Sequence, residues 1–82
     1  MKHFAGEDEV YDLYKKDDKK VVIYKKVVYD ASNFVNEHPG GPEKVEEYYG
    51  KNIEAPFEEE GHSKYALKLL LDLPKIGEVL DD

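Results

Sequence analysis

The chain has no cysteine, and in 82 residues that absence constrains its fold more than any other feature. A domain of this size buries a modest share of its surface and is marginal unless something ties it together. The usual staples are disulfides or a metal. Without cysteine, disulfides, thiolate zinc sites and iron–sulfur clusters are excluded. A cofactor seated in the core remains, and the residues able to hold one are those to look for.

The hydrophobic pattern reads as α+β, in one domain over residues 1–82. Val10, Leu13 and Tyr14 recur at helical spacing behind acidic residues, giving a short helix over 6–14. The lysine-rich stretch with Asp17 and Asp18 reads as a loop. Val21-Val22-Ile23-Tyr24 and Val27-Val28-Tyr29 are compact β-rich runs. Lys25-Lys26 between them predicts a tight hairpin, without the glycine such turns prefer. Beyond Asp30 the chain turns to short helices. Ser32 or Asn33 caps one carrying Phe34 and Val35, and Pro42 opens a second with Val45, Tyr48 and Tyr49, stopped by Gly50. Asn52 caps a third through Phe57, ending at Gly61. Ser63 caps a fourth, with Tyr65, Ala66, Leu69, Leu70 and Leu73 as its stripe. Pro74 breaks that helix, and 76–80 reads as a closing strand. The four helices form two hairpins, which can face each other across a cleft.

The net charge of −7 is unevenly spread. Residues 37–62 hold eight acidic groups against Lys44 and Lys51, a balance of −6, whereas six lysines crowd 15–26. An acidic half argues against nucleic acid and for a basic partner, although such a run can also be a solvated helix face. The most apolar stretch, 66–73, is interrupted by Lys68 and Asp72, so no membrane span is expected, and nothing resembles the charged-then-apolar start of a signal peptide. The expectation is a soluble, cytoplasmic monomer, or the soluble head of a longer anchored protein.

His38 and His62 lie beside glycine at helix-to-helix junctions, His38 ahead of Gly40-Gly41 and His62 behind Gly61. A flat macrocycle needs backbone close behind its axial ligands, and glycine permits that approach. A ligating imidazole also needs its second nitrogen held by a carbonyl or carboxylate, which irregular junctions leave free. By spacing alone, two histidines are more often surface or satisfied core groups, and His3 belongs with those.

The wider motif is more specific. From Val28-Tyr29-Asp30 through Phe34, Glu37-His38-Pro39-Gly40-Gly41, Phe57 and Gly61-His62-Ser63 to Ile76-Gly77-Glu78, the chain resembles the cytochrome b5 family over nearly its whole length. The resemblance implies a small mixed sheet with two helical hairpins forming a haem cleft. It implies His38 and His62 as axial ligands of a non-covalent haem b, with Phe34, Phe57 and Val45 walling the pocket. Gly40 and Gly41 stand behind the first ligand, and Ser63 matches a residue that hydrogen-bonds a haem propionate. Two imidazoles leave no open position on iron, so electron transfer follows and an enzymatic activity of its own does not. The implied partners are a flavin reductase and a haem or di-iron oxygenase, met through Glu43, Glu47, Glu58, Glu59 and Glu60 around the haem edge.

The chain also departs from the family. Glu60 and Lys44 replace apolar residues at the pocket rim, Pro56 precedes Phe57, and the tryptophan common near the first core strand is missing. An extra residue between His62 and Gly77 leaves open which of Leu69, Leu70 and Leu71 faces haem. The rival readings are a regulatory sterol- or haem-binding module of the same fold, a zinc site of the two histidines with glutamates, and an interaction domain without cofactor. The histidine pair argues against the first, and no third zinc ligand stands out.

Overall fold

The computed structural model describes residues 2–32, 47–59 and 64–80. A four-stranded mixed sheet organises them, with β1 (Lys2–Phe4), β2 (Val21–Tyr24), β3 (Val27–Asp30) and β4 (Lys75–Val79) in the order β1-β4-β3-β2. β1 runs parallel to β4, and the other pairings are antiparallel. Helix α1 (Glu7–Asp17) connects β1 to β2, and α2 (Glu54–Glu59) and α3 (Lys64–Leu71) precede β4. The α+β expectation with a small mixed sheet holds.

Two details differ from the sequence reading. Helix α1 runs on to Asp17 rather than ending at Tyr14, with Asp18 in the left-handed conformation (φ 55) donating its N–H to the Leu13 carbonyl. Lys15 and Lys16 suit the negative end of the helix dipole, so the lysines extend the helix rather than mark its end. Strand β1 was not anticipated, because three residues flanked by charge carry no readable alternation. It exists through long-range pairing of His3 with Glu78 and Phe4 with Val79.

The hairpin forms as expected, by a costly route. Lys25 and Lys26 both take positive φ, 48 and 67. That is the backbone of a two-residue turn whose twist matches its strands, adopted without glycine or asparagine. The ladder Val22↔Tyr29 and Ile23↔Val28 fixes the register.

Alternation along β2 and β3 sends side chains to two cores. Val21, Ile23 and Val28 join Phe4, Val10 and Val79 on one face, with Leu13 and Ile76 half-buried beside them. Val22, Tyr24, Tyr29 and Ala31 join Tyr49 and Leu70 on the other. All four β2 residues are buried, so the strand reads as a continuous apolar run rather than an alternating one. Its outer edge is covered by residues 50–53: Gly50 N–H donates to the Val21 carbonyl, and Ile23 N–H to the Lys51 carbonyl. Gly50 has φ 76, and a Cβ there would meet Tyr11 at 3.0 Å, so glycine is required. The helix expected ahead of Gly50, opened by Pro42, begins outside the described residues.

Candidate functional site

Phe57, one of the pocket residues the resemblance implies, packs on the face of the sheet bearing Tyr24 and Tyr29. Helix α2 starts on it because Asn52 Oδ1 accepts the Glu54 N–H at 2.9 Å, the capping expected of Asn52. Pro56 falls in the first turn, where a helix asks for no amide donor, so it stiffens α2 without breaking it. Phe57 follows, half-buried, with its ring 5.6 Å from that of Tyr24 and inclined at 65°. Such edge-to-face pairs add about 0.5–1.5 kcal/mol beyond area burial. Phe57 thus stands at the margin of this core.

Helix α3 supplies the neighbouring side. Leu70 is fully buried in the same cluster, Leu69 is half-buried and Leu71 is 43% exposed. Of the three leucines, Leu70 therefore faces this core. Leu73 N–H closes the helix on the Leu70 carbonyl, and the Pro74 carbonyl then accepts the Asp30 N–H at 2.8 Å, tying the end of α3 to β3. Ile53, Phe57, Leu67 and Leu73 complete a half-buried margin around Tyr24, Tyr49 and Leu70.

Electrostatically this face is apolar within and acidic at its edge. Among the described residues no buried side chain is charged, and Tyr29 is the titratable group that responds to the interior. Burial pushes its phenol above the ordinary tyrosine range, with Tyr24 adding to the shift. Glu47, Glu58 and Glu59 are exposed.

Of the anticipated site residues, Phe57 lies within the described residues. Phe34, His38, Gly40, Gly41, Val45, His62 and Ser63 lie outside them, as do Lys44 and Glu60. His3 is accounted for: its Nε2 lies 3.1 Å from Glu78 Oε1 across the β1–β4 ladder, both groups exposed, so it is a surface residue. The sequence reading did not single out Tyr24 and Tyr49 as the floor beneath Phe57. Val21–Tyr24 is apolar throughout, so no alternation in the sequence marks Tyr24 as facing this core.

Comparison with known proteins settles the family. The family described as "Cytochrome b5-like Heme/Steroid binding domain" matches residues 6–80. The chain belongs to that family. It is 41% identical over 63 residues to the "Probable cytochrome b5 2" of Schizosaccharomyces pombe, a match covering 77% of this chain and 48% of the relative. It is 46% identical over 63 residues to the "Cytochrome b5" of Rhizopus stolonifer, covering 77% and 47%. The chain thus spans about half the length of the curated relatives it matches. Among solved structures, the "Cytochrome b5 of Ostreococcus tauri virus 2" superposes with a TM-score of 0.61 at 29% identity, covering 80% of this chain and 71% of that one.

Haem b is the cofactor that goes with this domain, and the described residues suit it. A largely apolar macrocycle asks for an apolar, aromatic wall without stranded charge, and the face built of Tyr24, Phe57 and Leu70 provides one. Among the described residues no helix is long and apolar enough to cross a membrane.

Proposed function

We propose that this chain carries single electrons, with His38 and His62 ligating the iron of haem b from its two sides. The observation that supports the reading is the aromatic face on which Phe57 packs edge-on to Tyr24. Haem b bound there supplies a one-electron iron couple. The chain's own residues do the rest. Phe34, Phe57 and Val45 would exclude water from the ring, Gly40 and Gly41 would let the backbone approach behind His38, and Ser63 would donate to a propionate. With two imidazoles holding the iron, no position is left for oxygen or substrate, which favours a carrier over a catalyst. The same pair weighs against a regulatory ligand-binding module.

The partners follow from charge. Glu43, Glu47, Glu58, Glu59 and Glu60 give the haem edge an acidic fringe that steers a basic-faced donor or acceptor into brief contact. A flavin reductase upstream and a haem or di-iron oxygenase downstream fit that chemistry. Steering of this kind is screened over about 8 Å at physiological ionic strength. The rate of reduction by a flavin reductase should therefore fall steeply between low and high salt. A rate independent of salt would remove the acidic fringe from the mechanism.

A further inference from the structure

We infer that the face of the sheet turned away from Tyr24 and Phe57 carries a second ligand site, which takes a small anion with an apolar body, of the medium-chain carboxylate class. The site is a cavity of about 480 Å³, within the range of about 300–1,000 Å³ usual for small-molecule pockets. It opens where five elements end together: the start of β1, the end of α1, the starts of β2 and β4, and the end of β3.

Its floor is apolar. Half-buried Leu13 and Ile76 supply its accessible apolar surface, above Phe4 and Val21, which are 3% and 2% exposed. The cavity has a structural cause. Across β3 and β4 the register steps from Val28↔Gly77 to Tyr29↔Lys75, so Ile76 is the odd residue of a bulge. A bulge bends its strand and re-aims a side chain, and here Ile76 lines the cavity.

The rim is cationic. Lys2, Lys19 and Lys20 line it and are exposed, and among the described residues none of the three forms an ion pair. Their backbone is held in place. The Lys19 carbonyl accepts the Val21 N–H at 3.1 Å, and the Lys20 carbonyl accepts the Ala31 N–H at 2.7 Å. Two carboxylates share the rim. Asp30 is already engaged, its Oδ1 accepting both the N–H and the hydroxyl of Ser32, at 2.9 and 2.6 Å. Those bonds leave its charge in place, so with Asp18 the rim sets two carboxylates against three ammonium groups, an excess of one. A hydrophobic floor under an excess of ammonium groups selects a ligand with an apolar body and an anionic head.

The test is a chemical-shift titration of the haem-loaded protein with decanoate, and with decanol as its uncharged twin. Decanoate should bind saturably, moving the amides of Leu13, Val21 and Ile76, and should bind more tightly than decanol. The double change Lys19→Gln with Lys20→Gln should weaken decanoate about tenfold, as the loss of two exposed ion pairs allows, and leave decanol unchanged. Ile76→Trp, which fills the cavity, should abolish both. The inference is overturned if decanoate and decanol bind equally, if neither saturates, or if the shifts fall on Phe57 and Leu70 instead. The cavity is built from residues outside the proposed haem cleft, so none of these outcomes depends on how the iron is ligated.

Discussion

The two faces of the sheet share the same strands and differ in how they are closed. The face of Phe4, Val10, Val21, Ile23, Val28 and Val79 is aliphatic but for one ring and closed by α1. The opposite face is aromatic, with Tyr24, Tyr29 and Tyr49 in its core and Phe57 half-buried at its margin. The first face is a core of the protein's own aliphatic side chains. If the second receives haem, as proposed, its stability should depend on that group.

The largest effect expected from breaking this division is at the ligands. His38→Ala or His62→Ala should release haem, and with it the stabilisation that binding gives the folded state, about 4 kcal/mol when ligand stands a thousandfold above its Kd. Thermal melts of loaded and haem-free protein measure it. The difference between them should collapse in either variant.

The next pair sets the faces against each other. Val10→Ala removes buried aliphatic groups from the aliphatic face, at about 0.8 kcal/mol for each methylene equivalent, and should lower loaded and haem-free stability alike. Phe57→Ala should cost the loaded protein more than the haem-free one. Equal losses from Phe57→Ala would mean that the aromatic face is ordinary core. Gly77 tests the frame common to both faces. A Cβ there would collide with the Lys2 carbonyl and the Phe4 ring, so Gly77→Ala should cost about 1–3 kcal/mol with or without haem.

A smaller effect concerns pH. The folded-state pKa of Tyr29 is raised, so above the ordinary tyrosine pKa of about 10 the unfolded chain holds fewer protons than the folded one. Stability should thus be complete below about pH 10 and fall as pH rises through the folded value. Tyr29→Phe should flatten that decline in a denaturation series. The smallest effect is at the hairpin. Replacing Lys25-Lys26 with Asn-Gly should relieve two left-handed lysines and stabilise the chain by about 1 kcal/mol, leaving haem affinity unchanged.

Much of this architecture was legible in the sequence, for identifiable reasons. Val21–Tyr24 and Val27–Asp30 announce themselves as β-rich runs, and Asn52 and Pro74 act locally, so their roles were readable. Strand β1 was not, because it depends on partners more than seventy residues away. The length of α1 was misjudged because its last turn is written in lysines, which serve helix and loop equally well. At the site, the resemblance singles out Phe57, which lies at the margin of the aromatic core. The floor of Tyr24, Tyr49 and Leu70 was not legible, because only packing of distant segments brings those three together.

Ligation of the iron by His38 and His62 is read from a visible spectrum of the purified, haem-loaded protein. A sharp Soret band with split bands on reduction, lost in both His38→Ala and His62→Ala, is the expected result. An unchanged spectrum in either variant, or a colourless protein that cannot be reconstituted with haem, would contradict it.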